Sequence, residues 1–284
     1  MEDEHHLRLR NHWDGRVDRE KARETDEPWK RIHTDLLWRE INRCIGTRRG
    51  LRILDAGAGC GRFSIPLAEA GHSAVHLDIS PKMLESAREL AMSRGIKNIE
   101  FVCGNISNLS AFDDDSFDLV LCLDGPLSFC YDKYKMALCA LVRVAKNDLI
   151  FSVMCRSAVV SEGASFDLKH FGRLNTLPEV YHTGTLLVTD ELRQLEPNLM
   201  PSWHAFRPAE IKQLLEENGC RIKSISSPGA LARFIEPELL KKLFKNEEAY
   251  QSYLDFEQRY DADLHVLGLG QGGLLVSAEK LTQL

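Results

Sequence analysis

The 284-residue chain lacks several features that would assign it to whole classes of protein. No apolar run approaches the roughly 18 residues that a membrane-spanning helix needs. The first residues are polar and acidic, without the apolar core of a signal peptide. None of the eight cysteines forms a Cys-x-x-Cys pair, and no His, Asp or Glu cluster has metal-ligand spacing. We therefore expect a cytoplasmic protein with reduced thiols, no membrane partner and no bound metal ion.

The chain also lacks an excess of basic residues, which limits the nucleic acids that it could bind. The formal net charge is −6 at pH 7. Because proteins that grip duplex nucleic acid through its phosphates are basic, the charge argues against a duplex partner. It does not exclude a protein that reads a single base or a tRNA end. The 44% apolar content is that of a globular protein with a substantial core.

The most informative segment is residues 51–61, where an apolar run meets a glycine-rich turn. The run has the length of a buried parallel strand, and a helix is predicted directly after the turn. Glycines bring bare backbone close to a ligand, and the helix N-terminus adds N–H donors. The glycines are spaced G-x-G-x-G, not the G-x-G-x-x-G of dinucleotide folds, and Asp55 would repel a pyrophosphate. The turn therefore favours a nucleotide-like ligand with a zwitterionic amino-acid tail. Asp55 would accept a hydrogen bond from the ammonium group of that tail.

Three further polar side chains come at the ends of predicted strands. Asp78 lies 21 residues after Gly57, close to the roughly 20 at which nucleotide folds place an acid on ribose hydroxyls. Asn105 and Asp124 follow the next two strands along the chain. Because the carboxyl ends of parallel strands meet at one rim, we expect these side chains to converge on one ligand.

Taken in order, these motifs resemble those of the class I S-adenosylmethionine (SAM)-dependent methyltransferases. Residues 55–61, Asp-x-Gly-x-Gly-x-Gly, are similar to motif I, and residues 117–124 are similar to motif IV. The resemblance implies SAM as the cofactor and S-adenosylhomocysteine as its product, with Asn105 accepting the adenine amino group through its side-chain oxygen. The cofactor-binding residues that we predict are Asp55, Ala56, Gly57, Gly59, Gly61, Asp78, Ile79, Met83, Asn105, Ile106, Leu123 and Trp13.

The alternation of strands and helices predicts an α/β fold, a doubly wound, mostly parallel seven-stranded sheet with helices on both faces. Strands are predicted at 51–56, 74–78, 99–103, 117–123 and 148–155, with helices at about 62–70, 81–94 and 132–146. Four regions follow: an N-terminal helical lid (1–48), a SAM-binding core (49–156), a substrate-cap insertion (157–205) with a short strand at Thr185–Thr189, and a C-terminal completion of the sheet (206–284).

Methyl transfer requires a general base only when the nucleophile carries a proton. His204 is the first candidate because it ends the cap between two aromatic residues. His182, Tyr181 and Asp124 are the further candidates for a catalytic role. After the fourth strand the chain reads Asp-Gly-Pro-Leu, unlike the Asn/Asp-Pro-Pro-Tyr/Phe of methyltransferases that modify the amino groups of bases. This difference counts against methylation of adenine or cytosine in nucleic acid.

These observations predict a SAM-dependent methyltransferase that acts on an N or O atom of a small molecule or short peptide. The same fold could instead serve an acceptor in RNA or on a protein side chain. A third hypothesis is a non-catalytic SAM-binding protein. The glycine-rich turn indicates the methyl donor and does not choose among these acceptors.

Overall fold

The computed structural model of the chain describes residues 4–269 and 273–281. Its strands are β1 (Arg52–Ala56), β2 (Ser73–Asp78), β3 (Ile99–Cys103), β4 (Phe117–Cys122), β5 (Ala145–Val153), β6 (Thr185–Leu186), β7 (Trp203–His204), β8 (Cys220–Ser226) and β9 (Leu274–Lys280). Its α-helices are α1 (Glu4–Asp14), α2 (Val17–Asp26), α3 (Trp29–Ile45), α4 (Ser64–Glu69), α5 (Pro81–Ser93), α6 (Pro126–Phe129), α7 (Tyr134–Val144), α8 (Val159–Phe171), α9 (Leu177–Thr183), α10 (Asp190–Leu195), α11 (Pro208–Glu217), α12 (Pro237–Leu243), α13 (Glu247–Tyr260) and α14 (Leu264–Leu269).

Seven strands form one sheet in the order β3-β2-β1-β4-β5-β9-β8. Strands β1 to β5 are parallel, and β9 runs antiparallel between β5 and β8. The chain order reverses between β1 and β4, which creates a crevice at the carboxyl ends of these two strands. The predicted α/β fold with a mostly parallel seven-stranded sheet is confirmed.

The strands of this sheet are apolar on both faces, as expected for a sheet covered by helices on both sides. The consecutive residues Ile53 and Leu54 of β1 show the pattern, since they belong to different core clusters. Leu54 packs in a cluster with side chains of α7 and α11, whereas Ile53 packs in a cluster with side chains of α3. Burial of each such side chain contributes about 1.5–3 kcal/mol. The resulting rigid sheet fixes the positions of the loops at its carboxyl edge.

Helix α3 lies within the region predicted as a lid, yet it is a core helix. Its residues Leu37 and Ile41 are fully buried against the sheet. The helix ends at Gly46, which has φ +57°. Only α1 and α2 therefore lie over the carboxyl edge of the sheet in the way that the predicted lid requires.

The region 157–205 is mainly helical, which the sequence analysis did not predict. Helices α8 and α9 end at Gly172 and Gly184, both in the left-handed conformation that glycine adopts readily. The predicted strand at Thr185–Thr189 stops at Leu186. Thr189 instead caps α10, because its hydroxyl oxygen accepts a hydrogen bond from the Leu192 N–H. Among the residues that the structure describes, no helix has the length and apolar character needed to cross a membrane.

Candidate active site

The glycine-rich turn after β1 depends on glycine at three positions. Gly57, Gly59 and Gly61 have φ of +83°, +56° and +89°. A Cβ atom on Gly57 would lie 2.3 Å from Cγ of Pro126, and one on Gly61 would lie 2.4 Å from Cδ1 of Ile65. A Cβ atom on Gly59 would meet nothing within 4 Å. The turn thus packs tightly against α4 and α6 while its centre is open.

His76, in the middle of β2, forms hydrogen bonds with the glycine-rich turn and with the first residue of α4. Its Nε2 lies 3.1 Å from the Gly59 carbonyl oxygen, and its Nδ1 lies 2.7 Å from the Ser64 hydroxyl. Since a carbonyl can only accept, Nε2 carries the proton and the hydroxyl donates to Nδ1. Burial lowers the pKa of His76 to about 4, so the ring is neutral at pH 7. The sequence analysis missed this residue, because a histidine within an apolar strand gives no local signal of its partner.

Asp55, at the end of β1, is turned away from the open side of the glycine turn. Its Oδ2 accepts a hydrogen bond of 3.0 Å from the N–H of Ser64, the first residue of α4. Burial raises the pKa of Asp55 to about 7. Helix α4 uses one oxygen of this carboxylate as an N-terminal partner, and the contact of Asp55 with a ligand ammonium group stays a prediction.

Asp78, at the end of β2, faces the open side of the turn. Its two carboxylate oxygens accept hydrogen bonds from the N–H groups of Gly59 and Ser80, both at 2.8 Å. Burial raises the pKa of Asp78 to about 6, against the effect of these two donors. Each oxygen retains a lone pair that can accept a hydrogen bond from a hydroxyl group of a ligand.

Helix α1 is fastened to the same rim through Asp14. This carboxylate accepts a hydrogen bond from the Ser80 hydroxyl, and another of 3.2 Å from the Lys82 N–H. Ser80 is the N-cap of α5 and Pro81 is its first residue. An acidic side chain at a helix N-terminus is electrostatically favourable. The contact places α1 across the carboxyl ends of β2 and β3.

Asn105 carries an unpaired donor at the next strand end. Its Oδ1 accepts a hydrogen bond of 2.9 Å from the Ser107 N–H, which fixes the orientation of the amide. Its Nδ2 is buried and has no hydrogen-bond partner among the described residues. Because buried polar groups are nearly always paired in a functional state, this donor points to a ligand acceptor. The sequence analysis assigned the oxygen to the ligand, whereas the unpaired atom is the nitrogen.

These groups surround a first cleft of about 940 Å³, measured with its open mouth. Nine of the predicted cofactor-binding residues line it, and Asp55, Ala56 and Gly61 do not. The nine are Trp13, Gly57, Gly59, Asp78, Ile79, Met83, Asn105, Ile106 and Leu123. The cleft is therefore a mainly apolar slot with polar groups at the strand ends, which is the usual character of a cofactor site.

Asp124 closes one end of the first cleft through a network of ion pairs. Its Oδ2 lies 2.8 Å from Nη1 of Arg23 and 2.7 Å from Nη1 of Arg62, and its Oδ1 lies 3.0 Å from Nε2 of His33. Although burial alone would raise its pKa, the charge of Arg23 and the hydrogen bond from His33 hold the pKa of Asp124 well below its usual range. The backbone of Asp124 has φ +63°, an uncommon conformation that sets the carboxylate at this junction.

A second cleft of about 1110 Å³, also measured with its mouth, adjoins the first. It lies between helices α1 to α3, the carboxyl end of β5 and the start of α8. The two clefts share five wall residues, namely Trp13, Glu20, Arg23, Asp124 and Phe129. A ligand in one cleft is thus separated from a ligand in the other by no more than these side chains.

Three of the four predicted catalytic residues line neither cleft: His204, His182 and Tyr181. His204 is buried, with Nε2 2.7 Å from Oε1 of Glu210 and Nδ1 2.7 Å from the Thr185 hydroxyl. Glu210 also binds Arg156 at 2.6 Å. His204 therefore connects the cap to α11 and does not face a reacting group. The apolar flanks that made it a candidate are the walls of this buried network.

Comparisons with known proteins agree with this geometry. A family model described as "Methyltransferase domain" matches residues 53–148, from β1 into β5. The chain thus carries a methyltransferase domain, and its fold is that of the class I SAM-dependent methyltransferases. It is 23% identical over 239 residues to the tRNA 5-carboxymethoxyuridine methyltransferase of Escherichia coli K12, which covers 83% of this chain and 84% of the relative. Matches to other curated relatives span 27–64% of their length.

Solved structures of methyltransferases share the fold of this methyltransferase. The SAM-dependent methyltransferase of Mesorhizobium loti has a TM-score of 0.55 at 18% identity, over 86% of this chain and 98% of that one. Magnesium protoporphyrin IX methyltransferase of Synechocystis, determined with bound S-adenosylhomocysteine, has a TM-score of 0.50 at 20% identity, over 89% and 83%. The enzyme is thus a methyltransferase that uses SAM, and the first cleft has the unpaired Asn105 donor and the Asp78 acceptors that a nucleoside requires.

Proposed function

We propose that this methyltransferase binds SAM in the first cleft and transfers its methyl group to an N or O atom of a small molecule or short peptide in the second cleft. The observation that carries the proposal is the shared wall between the two clefts. Methyl transfer requires donor and acceptor atoms within about 3–3.5 Å of each other, and adjoining clefts can satisfy this requirement.

The polar groups of the first cleft match the parts of the cofactor. The carboxylate of Asp78 would accept hydrogen bonds from the two ribose hydroxyls. It would replace the water molecules that accept those bonds in solution. The Nδ2 donor of Asn105 would face a ring nitrogen of the adenine, while its Oδ1 stays on Ser107. Ile79 and Met83 lie on the same wall and would cover the adenine face. When bound, SAM supplies an electrophilic methyl group on a sulfonium centre.

Aromatic side chains of the lid and of the cleft rim would exclude water from the junction of the two clefts. Trp13 packs edge-on against Phe129, with ring centroids 5.5 Å apart, and both rings line both clefts. Because the positive charge leaves the sulfur during transfer, a dry and apolar junction favours the reaction. We assign to these two rings the alignment of the acceptor with the methyl group.

The test is an incorporation assay with tritiated methyl SAM and a low-molecular-mass cell extract fraction. We expect label in small molecules, and we expect a Trp13→Ala enzyme to lose most of the rate. Lys135→Ala is the matched control, since this lysine lies on α7 and lines neither cleft. Label confined to macromolecules would contradict the small-molecule assignment.

RNA is a second candidate acceptor, favoured by one observation. The E. coli relative named for tRNA 5-carboxymethoxyuridine aligns over most of both chains. A modified nucleoside at a tRNA loop would enter the same second cleft. Ribonuclease treatment of the labelled macromolecular fraction decides between the candidates, because it releases label only from RNA.

A further inference from the structure

We propose that the acceptor is a small molecule carrying a carboxylate, that the carboxylate oxygen is the methylated atom and that the product is a methyl ester. This inference rests on the proposed binding of the acceptor in the second cleft. It is carried by the charge of that cleft and by the commitment of every acid and histidine in its wall.

The second cleft is basic although the chain as a whole is acidic. Five guanidinium or ammonium groups line it against three carboxylates, whereas the net charge of the chain is −6. The basic residues are Arg16, Arg19, Arg23, Lys30 and Arg233. A local excess of positive charge within an acidic protein attracts an anionic ligand to this place.

Three of these arginines share one face of α2 and its N-cap. Arg16, Arg19 and Arg23 are spaced by three and four residues, which makes them neighbours on a helix surface. Like charges at this spacing destabilise a helix. Among the described residues, neither Arg16 nor Arg19 has a carboxylate within ion-pair distance, and the buried Nε of Arg23 has no hydrogen-bond partner. Arg23 is paired with Asp124, so among the described residues it is Arg16 and Arg19 that lack a balancing anion.

His12, which contacts Arg16, is affected by the same excess of positive charge. Nε of Arg16 donates a hydrogen bond of 2.6 Å to Nε2 of His12, which requires an unprotonated nitrogen. Burial, followed by the charges of Arg16 and Arg193, lowers the pKa of His12 to about 4. Since the histidine stays neutral, it adds no charge and serves to hold the Arg16 side chain.

The titratable groups of the second cleft are not placed to remove a proton from an acceptor. Asp124 is paired with Arg23 and Arg62. Glu20 lies 3.5 Å from both of these arginines, and Glu162 lies 3.2 Å from Arg233.

His33 offers no acceptor nitrogen either. Its Nδ1 lies 2.9 Å from the Pro228 carbonyl oxygen and its Nε2 lies 3.0 Å from Oδ1 of Asp124. Both nitrogens are therefore within hydrogen-bond distance of protein oxygens. A nucleophile that reaches this site already ionised fits best, and a carboxylic acid with a pKa near 4 is ionised at pH 7.

The transfer then balances without a base. A carboxylate oxygen gives an electron pair to the methyl carbon, the carbon–sulfur bond breaks, and its electron pair stays on sulfur. One negative and one positive charge disappear, and no proton moves. Arg19 and Arg16 would hold the second carboxylate oxygen, which fixes the first oxygen toward the junction of the clefts.

The test uses the alkali lability of methyl esters. Wild-type enzyme is incubated with tritiated methyl SAM and the low-molecular-mass extract fraction, and the product is treated with alkali. We expect most of the label to become volatile methanol, because amine and ether methyl groups survive alkali. With the purified acceptor, Arg19→Gln and Arg16→Gln should each raise KM about tenfold, the factor expected for one charge-assisted hydrogen bond. Lys21→Gln, on α2 but outside this cleft, should match wild type.

The outcomes separate this inference from the proposed function. Label that stays non-volatile would overturn the carboxylate acceptor and leave methyl transfer intact. Volatile label together with arginine variants that match Lys21→Gln would overturn the roles assigned to Arg16 and Arg19. No label in the small-molecule fraction would overturn both. Volatile label that appears only in ribonuclease-sensitive material would assign the carboxylate to RNA and overturn the small-molecule acceptor.

Discussion

Asp124 and Arg62 join the end of β4 to the glycine-rich turn, with Oδ2 of the aspartate 2.7 Å from Nη1 of the arginine. Arg62 also lies 3.5 Å from both Glu20 and Glu24 of α2. The turn that forms the cofactor cleft is thereby tied to the lid helix. Because this junction is also the boundary of the two clefts, its charges affect stability, cofactor binding and acceptor binding together.

Loss of the charge of Asp124 should destabilise the enzyme. Asp124→Asn keeps a residue that tolerates φ +63°, but it leaves Arg23 and Arg62 without their shared carboxylate. We expect the free energy of unfolding to fall by about 3 kcal/mol, measured by urea denaturation. The exposed Asp132→Asn control should stay within about 0.5 kcal/mol of wild type. Equal stability of the two variants would show that the network is not stabilising.

Cofactor affinity should depend on pH through Asp78. Its folded pKa of about 6 lies above the ordinary value, so the carboxylate loses acceptor strength as pH falls through 6. Affinity for S-adenosylhomocysteine should be full above pH 7 and about tenfold weaker at pH 5, measured by calorimetry. Asp78→Asn should bind weakly at both pH values. An equal pH dependence in this variant would assign the effect to another group.

Replacement of His76 should weaken the glycine turn in a pH-dependent way. His76→Leu leaves the Gly59 carbonyl and the Ser64 hydroxyl without partners, which costs about 1–3 kcal/mol near pH 7. The wild-type ring has a folded pKa of about 4, below its unfolded value near 6.5, so wild-type stability falls as pH drops between them. The difference between the two proteins should therefore shrink from pH 7 to pH 4. Denaturation curves at both pH values measure it, and a constant difference would contradict the neutral-ring assignment.

Substitutions of the two lid tryptophans should distinguish the role of the first cleft from that of the second. Trp13 lines both, whereas Trp29 lines only the second. Trp13→Ala should weaken binding of S-adenosylhomocysteine about tenfold, since a large apolar wall is lost. Trp29→Ala should keep cofactor affinity within about twofold and raise the acceptor KM. Tryptophan fluorescence titration measures the first effect, and equal cofactor affinity in the two variants would contradict the assignment of the first cleft.

His204 should matter for stability and not for the chemical step. His204→Gln breaks the bonds to Glu210 and Thr185, and we expect a loss of about 1–3 kcal/mol in unfolding free energy. The rate constant at saturating substrate, measured well below the melting temperature, should match wild type within about twofold. A hundredfold lower rate in a folded variant would restore the catalytic role that the sequence suggested.

The parts of the fold that the sequence predicts are those with strong local signals. Strand β1 and the turn after it were predicted within one or two residues, because apolar runs and glycines are local patterns. The helices of the cap were missed. Their apolar residues are irregularly spaced, and several, such as Val160 and Leu168, are exposed.

Residues of the site could be predicted where they lie at or directly after the end of a strand. Asp78 and Asn105 lie in the first cleft for this reason. Arg23 and His33 could not be predicted, because they reach Asp124 from helices about 100 residues earlier in the chain. The direction in which Asp55 points was also beyond the sequence, since it depends on the start of α4.

Calorimetric titration with S-adenosylhomocysteine at pH 7.5 decides whether the first cleft is the SAM site. We expect saturable binding of one molecule per chain, weakened by Asp78→Asn and by Asn105→Leu, and unchanged by Asp132→Asn. Absence of saturable heat with the wild-type enzyme, or equal binding by all three variants, would contradict it.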